Sequence, residues 1–299
     1  MTDLETEPTM EGTLSRLSNS VPPRPTIAII VPTYNSAGTF ESLAASIDKQ
    51  THPASEVIVV DNFSSDGTPE AALAHGYRVI CRRAPRAVAR RLGASSASSS
   101  HVLFVDSDQV LDSECIGVLT GFLSHMPHSM ATLYEQAQGT GHWADMLRLD
   151  DRVGFEMGIG IPRCFPRAAY LSVWQTEFER HDHVHGEDRI LAGELRERGL
   201  HLESLGNAKV LHQDPELGDF LLKQFTNTYR GTQGDSVRLY ATSVSQPLRL
   251  LSRPRSVYRA CGSTKALVAY LLFLTLRVTL MAAGSASARV RRPATRASQ

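Results

Sequence analysis

Four short apolar runs recur along the first third of the chain, and each is rich in valine and isoleucine. They cover residues 26–32, 56–61, 77–81 and 101–106. Each run is too short for a buried helix, so the pattern predicts strands. The runs are continuous instead of alternating with polar residues, which indicates strands that are buried on both faces, as in a parallel sheet.

Helix-like segments separate these predicted strands. They cover residues 39–49, 68–74 and 86–97, and the second follows the turn sequence Ser-Ser-Asp-Gly. Alternating strands and helices predict an α/β fold with a mixed, mainly parallel, Rossmann-type sheet and helices on both of its faces. In such folds, ligands bind beyond the carboxyl ends of the strands.

The predicted strand ends are polar, with the sequences PTYN, DNFSSDG and DSD. They bring three carboxylates, Asp61, Asp106 and Asp108, to one rim of the sheet. A carboxylate pair at a strand end is costly unless a positive group meets it. No cation lies nearby in sequence, so the Asp-Ser-Asp segment raises the question of which cation that is.

An amphipathic helix is predicted later, in GEDRILAGELRERG. Ile190, Leu191 and Leu195 form its apolar face, and Glu187 and Asp188 lie in its first turn. Two carboxylates there interact favourably with the helix dipole, and this alternative to a catalytic pair stays open.

Three alternating histidines, His181, His183 and His185, precede this predicted helix. They are similar to the H-x-H runs of zinc hydrolases, but further ligands in matching contexts are lacking. We expect them to border an acceptor cleft or to be exposed.

Composition is typical of a globular protein, with 42% hydrophobic and 21% charged residues. The formal charge of zero conceals an asymmetry, because eleven of the 31 basic residues and no acidic residue lie between residues 236 and 299. The split predicts that the C-terminal region contacts a polyanion or an anionic membrane. The four cysteines lie far apart without a C-x-x-C motif, which indicates free thiols in a reducing compartment.

The two ends of the chain differ in character. Residues 1–25 are acidic and rich in Pro, Ser and Thr without an apolar signal region, so we expect a disordered leader in the cytoplasm. Residues 266–283 are apolar except for Arg277 and span about 27 Å as a helix, the lower limit for crossing a bilayer.

Arg277 would cost about 2.5 to 3.5 kcal/mol at the centre of a membrane span. We therefore expect a helix on the cytoplasmic face of the membrane, with arginines on anionic headgroups. Packing on the catalytic domain and a true span are the alternatives. The basic tail lacks interleaved aromatic residues, so no nucleic acid is expected as a partner.

Five segments in order, VPTYN, DNFSSDGT, ARRLGA, DSD and GEDRILAGELRERG, resemble the inverting family 2 glycosyltransferases of GT-A fold over about residues 26–214. The resemblance implies transfer of a sugar from a nucleoside diphosphate sugar, with UDP as the expected nucleotide, to an acceptor hydroxyl. It also implies Mn²⁺ or Mg²⁺ bridging the DSD carboxylates and the diphosphate.

On the donor side, the resemblance implies a nucleoside pocket in which the ring of Tyr34 stacks on the base and Asp61 accepts the imide N–H of uracil. The pocket is lined by Pro32, Thr33, Tyr34 and Asn35. Arg90 would lie near the base or the diphosphate. Arg91 occupies a position where the family often has Asn, which leaves open which arginine faces the site. Asp66 is expected to stabilise its turn.

On the metal and acceptor side, the resemblance implies that Asp108 binds the metal directly and that Asp106 touches the ribose or the hydration shell of the metal. His212 would be a further metal ligand, and a surface histidine is the alternative. In a regular strand, Asp106 and Asp108 would share a face. Asp188 would be the catalytic base, with Glu187 as its neighbour.

The sequence thus predicts a leader (1–25), a GT-A catalytic domain (26–235) and a basic, apolar, helical C-terminal region (236–299). Two other functions are alternatives. A sugar nucleotidyltransferase is disfavoured because PTYNSAG lacks its glycine-rich basic loop, and a catalytically silent sugar-nucleotide-binding protein because DSD and GED are intact. The acceptor stays open between a saccharide, a lipid-linked acceptor and a small molecule.

Overall fold

The structure is a computed structural model that describes residues 24–158, 160–174, 187–213, 216–233 and 253–290. The strands are β1 (Ile27–Thr33), β2 (Glu56–Asp61), β3 (Arg78–Cys81), β4 (His101–Phe104), β5 (Gln109–Leu111), β6 (Ser129–Ala137), β7 (Cys164–Pro166) and β8 (His201–His212). The helices are α1 (Ala37–Asp48), α2 (Thr68–Ala74), α3 (Arg86–Ser96), α4 (Cys115–His125), α5 (His142–Glu156), α6 (Arg167–Val173), α7 (Glu187–Glu197), α8 (Leu217–Gln233), α9 (Pro254–Cys261) and α10 (Thr264–Val290).

The strands form one sheet in the order β3-β2-β1-β4-β7-β6-β8-β5. Strands β3, β2, β1 and β4 are parallel, whereas β7 is antiparallel to both of its neighbours and β5 is antiparallel to β8. The predicted mixed α/β sheet is therefore confirmed. The three predicted helices are observed as α1, α2 and α3, with ends that differ by at most two residues.

Strand β4 is shorter than predicted, because the chain turns directly after Val105. The backbone N–H of Asp106 donates to the side-chain oxygen of Gln109 at 2.9 Å, and the Gln109 N–H donates to the Asp106 carbonyl at 3.1 Å. These bonds form a tight turn, so Asp106 and Asp108 do not share a strand face. The two aspartates would share a face only in a regular strand, and the chain is a turn here.

Side chains from both faces of the sheet are buried, which explains the continuous apolar runs. On β1, Ile29 belongs to the core on the side of α1 and α4, and Ile30 to the core on the side of α3, α6 and α7. Helix α3 lies close to the sheet at Gly93, where an added Cβ would lie 2.3 Å from Ile30 Cγ2. The glycine of ARRLGA therefore sets the distance between α3 and β1.

The C-terminal helices share a core with the catalytic domain. This third core contains Leu147 and Val153 of α5, Phe220 of α8, Val257 of α9, and Tyr270, Phe273 and Leu274 of α10. It joins side chains from both sides of the domain boundary predicted after residue 235. That boundary stays a prediction, but it does not separate two cores.

Helix α10 is held by polar contacts as well. Arg277 Nη1 donates to Asp150 Oδ2 at 2.8 Å, and the Tyr270 hydroxyl donates to Asp150 Oδ1 at 2.8 Å. A Cβ on Gly284 would lie 2.6 Å from the carbonyl oxygen of Phe225 on α8. The helix therefore packs on the catalytic domain along one side, as in the first of the two alternatives to a helix lying on the membrane.

Candidate active site

The loops after β1 and β2 are joined by Asp61. Its Oδ1 accepts hydrogen bonds from the hydroxyls of Thr33 (2.7 Å) and Ser64 (2.6 Å), and its Oδ2 accepts the Ser64 N–H at 2.7 Å. Asp61 is fully buried. In this arrangement its carboxylate organises the two loops, and a base reaches it only after the Ser64 segment shifts.

The same two loops contain residues at positive φ. Asn35 has φ 47° and Phe63 has φ 57°, a region that non-glycine residues enter at a cost. The Asn35 N–H donates to Ser64 Oγ at 2.8 Å, and Asn35 Oδ1 accepts the Ser65 N–H at 2.9 Å. The loops are therefore held in a defined shape.

Two aromatic rings are exposed next to this hydrogen-bonded pair. Tyr34 is 61% exposed and Phe63 is 55% exposed. The guanidinium of Arg83 lies 5.7 Å from the centroid of the Phe63 ring. The rim thus presents two rings and a cation to solvent, which suits an aromatic, anionic ligand such as a nucleotide.

Asp66 has the structural role expected from its turn sequence. Its Oδ2 accepts the N–H of Ala37 at the start of α1, and its Oδ1 accepts the Thr68 hydroxyl at 2.6 Å. The side chain ties the start of α1 to the start of α2.

An ion-pair cluster lies at the Asp-Ser-Asp turn. Arg90 of α3 is buried, and its Nη2 donates to Asp106 Oδ1 at 2.8 Å while its Nη1 donates to Asp188 Oδ1 at 2.7 Å. Arg163 donates from Nη1 to Asp106 Oδ2 at 3.0 Å and from Nε to Glu135 Oε1 at 2.6 Å. The cations that meet Asp106 are therefore two arginines.

The expectation that Asp106 touches the ribose or the hydration shell of a metal stays a prediction. Both of its carboxylate oxygens accept hydrogen bonds from guanidinium groups, and it shares neither with Asp108. A metal ion that approached Asp106 would compete with two arginines for these oxygens.

The arginines determine the charge of the two aspartates. Burial alone would raise the pKa of Asp106, but Arg163 and Arg90 outweigh it and hold that pKa well below its usual range. Burial also acts to raise the pKa of Asp188, and Arg90 and then Arg163 lower it overall. Both side chains are therefore carboxylates at neutral pH.

The geometry also distinguishes the two neighbouring arginines. Arg90 lies in the cluster, whereas the guanidinium of Arg91 lies 5.6 Å from the centroid of the Trp174 ring. Arg90, the first arginine of ARRLGA, is thus the one that faces the carboxylates.

Asp108 and His212 lie together on the open side of the turn. Asp108 Oδ2 and His212 Nε2 are 3.5 Å apart, and the side chains are 39% and 31% exposed. Among the described residues, no group of three His, Cys, Asp or Glu side chains gathers as a metal cage. Mg²⁺ and Mn²⁺ sites that keep waters and substrate phosphates need only one or two protein ligands, so the pair fits such an ion.

The remaining predicted residues lie at the start of α7 or just before it in the sequence. Asp188, in the first turn of α7, contributes one carboxylate to the ion-pair cluster. The backbone of Glu187 begins that helix, and its side chain is not among the groups that the structure describes. His181, His183 and His185 lie outside the described residues.

Three residues of this site were not predicted from the sequence: Phe63, Glu135 and Arg163. The available signals were an aromatic residue in an otherwise polar loop and a lone arginine inside the apolar segment IGIPRCFP. The sequence around Glu135 did not indicate its role, because its partner Arg163 lies just before a different strand, β7.

The mixed sheet with polar strand ends is the arrangement of the GT-A fold. The profile of Glycosyl transferase family 2 matches residues 28–183, more than half of the chain. The protein therefore belongs to glycosyltransferase family 2.

Two relatives share part of the sequence. The Bacillus subtilis (strain 168) glycosyltransferase TuaG, named for teichuronic acid biosynthesis, is 33% identical over 94 residues, which is 28% of this chain and 36% of TuaG. Glycosyltransferase AglE of Haloferax volcanii is 44% identical over 50 residues, which is 16% of each chain. The matches thus span 36% and 16% of the length of these relatives.

Two solved structures share the fold. S. aureus TarS (residues 1–349) has a TM-score of 0.52 at 17% identity, with 90% of this chain and 93% of that chain covered. Mannosyltransferase PcManGT from Pyrobaculum calidifontis, solved with GDP-Man and Mn²⁺, has a TM-score of 0.58 at 17% identity, with 95% and 94% covered.

The bridging role of Arg90 is tested by Arg90→Lys. A lysine keeps the charge but cannot donate to Asp106 and Asp188 in the fork geometry, so we expect the free energy of unfolding to fall by about 1.5 to 3 kcal/mol. The matched control is Arg91→Lys, which keeps a cation over Trp174 and is expected to cost less than about 1 kcal/mol. Urea denaturation measures both, and equal losses would contradict the bridge.

Proposed function

We propose that the protein transfers a sugar from a UDP-sugar or another nucleoside diphosphate sugar to an acceptor hydroxyl, with inversion at the anomeric carbon and with Mn²⁺ or Mg²⁺. The observation that carries the proposal is the Arg90 bridge, because it brings Asp106 of the Asp-Ser-Asp turn and Asp188 of α7 to one guanidinium. A carboxylate available to the acceptor is thereby held beside the rim where the donor would bind.

The nucleoside end of the donor is assigned to the loops after β1 and β2. Tyr34 and Phe63 provide exposed rings on which a base stacks, and Pro32, Thr33 and Asn35 form the backbone beneath them. TarS has been solved with UDP and with UDP-GlcNAc, and PcManGT with GDP-Man. These relatives support a nucleotide-sugar donor here.

The metal is assigned to Asp108 and His212, whose facing oxygen and nitrogen atoms are close enough to share one ion. When bound, the ion neutralises charge on the diphosphate as it leaves. Asp106 is assigned a different task, which is to hold Arg90 and Arg163 in place beside the diphosphate.

Asp188 is assigned as the base. The acceptor oxygen forms a bond to the anomeric carbon, the bond from that carbon to the diphosphate oxygen breaks with its electron pair on the diphosphate, and the acceptor proton passes to the Asp188 carboxylate. A carboxylate whose pKa is lowered by Arg90 is a weak base towards a free hydroxyl. It is sufficient here because the hydroxyl becomes acidic only as its bond to carbon forms.

A peripheral position on the cytoplasmic face of the membrane completes the proposal. The side of α10 opposite its packed face is apolar and exposed at Val268, Leu271, Leu272 and Leu276, and we call it the outward face. Length and composition alone would allow Thr264–Ser287 to cross a bilayer. The pairing of Arg277 with Asp150 favours a helix that stays on the domain and lays its outward face on the lipid.

The charge of the neighbouring residues supports an anionic lipid surface. The neighbouring cations Arg253, Arg255, Arg259 and Lys265 are exposed, and no acidic residue occurs between residues 236 and 299. Each basic residue near an anionic surface contributes about 1 kcal/mol.

The base assignment is tested by Asp188→Asn. We expect kcat for transfer to fall at least about 100-fold, because the amide cannot take the proton, while UDP binding measured by calorimetry persists. Glu197→Gln, on the exposed end of the same helix, is the control and is expected to keep activity. Near-normal turnover by Asp188→Asn would reject the assignment.

The metal assignment is tested with Asp108→Asn and His212→Gln. We expect each to raise the Mn²⁺ concentration needed for half-maximal donor turnover at least about tenfold, since one of two protein ligands is lost. His201→Gln, at the other end of β8, should leave it unchanged. Turnover of UDP- and GDP-sugars, followed by nucleotide release, that is indifferent to chelators would overturn the metal dependence.

The membrane assignment is tested by vesicle sedimentation of the double variant Leu272→Asp/Leu276→Asp. Vesicles of phosphatidylcholine mixed with phosphatidylglycerol should bind it at least about tenfold more weakly than the wild type, because two immersed side chains are lost. Leu73→Asp on α2, also exposed, is the control. Binding unaffected by the double variant, or equal on pure phosphatidylcholine, would contradict this surface.

A further inference from the structure

A cavity of about 180 Å³ lies between β6, α5 and α10. Its wall carries the polar side chains Thr132, Glu135, Asp150, Asp151 and Arg277, together with the ring of Phe155. Nothing in the catalytic scheme above uses this cavity.

The cavity adjoins the ion-pair cluster through Glu135. This side chain accepts a hydrogen bond from Arg163 at 2.6 Å, and Arg163 in turn donates to Asp106 at 3.0 Å. One guanidinium therefore separates the cavity wall from the Asp-Ser-Asp turn. The donor end of the site, at Asp61 and Tyr34, belongs to the opposite part of the sheet, on β1 and β2.

A buried hydroxyl on the cavity wall lacks a partner among the described residues. Thr132 is 3% exposed, and its Oγ1 makes no hydrogen bond there. Leaving such a group unsatisfied costs about 1 to 3 kcal/mol. The space beside it is kept by Gly160, where a Cβ would lie 2.5 Å from Thr132 Cγ2. The oxygen is shielded from the cavity as the side chain stands, so a ligand hydroxyl would satisfy it after rotation of the Thr132 side chain.

The remaining polar groups suit a ligand that both donates and accepts. Asp150 accepts hydrogen bonds from Tyr270 and Arg277, but a carboxylate has about four lone-pair sites and can accept more. Three carboxylates against one guanidinium make the wall net negative, which disfavours a phosphate. Phe155 offers an apolar surface for C–H groups.

Resting on the proposed function, we propose that this cavity binds the acceptor, and that the acceptor places a polyhydroxylated sugar ring there. The ring hydroxyls donate to Glu135, Asp150 and Asp151 and accept from Thr132 and Arg277, while its C–H face lies on Phe155. The volume suits one ring, so the rest of the acceptor lies outside, towards α10.

Saturation-transfer NMR tests the proposal on the full chain with UDP and Mn²⁺. The probes are methyl α-mannoside, methyl β-glucoside and methyl N-acetyl-β-glucosaminide, with tetrahydropyran-2-methanol as a ring that has a single hydroxyl. We expect at least one glycoside to give a signal that the single-hydroxyl ring lacks. Thr132→Val, which removes the hydroxyl, and Ile161→Phe, which fills the cavity, should each reduce it at least threefold.

Thr120→Val on α4 is the matched control and should keep the full signal. Absence of any glycoside signal in the wild type would overturn the proposed ligand class, and a signal that Thr132→Val and Ile161→Phe leave unchanged would overturn the location. UDP binding, measured in the same samples, separates these results from a failure of the proposed function. Retained UDP binding also shows that each variant is folded.

Discussion

The site depends on one constraint, a guanidinium buried at the carboxyl edge of the sheet. Removing Arg90 from water is costly unless its charge is compensated at close range, and Asp106 and Asp188 provide that compensation. The three side chains come from α3, the turn after β4, and α7. A single buried charge thus fixes the relative positions of three elements. Arg163 and Glu135 extend the alternation of charges towards β6, so each buried charge has a partner of opposite sign.

The Asp-Ser-Asp turn separates two roles that a strand would have merged. Asp106 faces inward and is fully engaged by arginines, whereas Asp108 is partly exposed beside His212. A metal ion shared by both aspartates would have to compete with two guanidinium groups for Asp106. An ion held by Asp108 and His212 would avoid that competition, because both side chains are partly exposed and neither is paired with an arginine among the described contacts. The two aspartates therefore have different partners: Arg90 and Arg163 contact Asp106, and His212 lies beside Asp108.

Local sequence patterns predicted the strands and helices, but they did not predict which side chains from distant elements contact each other. Continuous apolar runs predicted β1 and β2 closely, because burial on both faces leaves a direct trace in the sequence. Periodicity could not choose between Arg90 and Arg91, since neighbouring helical residues differ by about 100° and the charges that select one come from distant elements. The role of Arg163 was hidden for the same reason, because its partners Asp106 and Glu135 lie in the turn after β4 and on β6. Asp61 was predicted at the rim but not its burial, which depends on the hydroxyls of Thr33 and Ser64.

Helix α10 shows why hydrophobicity alone does not distinguish a span from a packed helix. Its sequence is apolar all around, because one side contributes Tyr270, Phe273 and Leu274 to a protein core while the outward face carries leucines at 271, 272 and 276. The residue that separates the two interpretations is Arg277, whose partner Asp150 belongs to α5. That ion pair also lines the cavity beside Glu135. The same contact therefore fixes α10 on the domain and borders the space where we assign the acceptor. If α10 lies on the membrane as we propose, an acceptor carried by a lipid would reach the cavity along the edge of this helix.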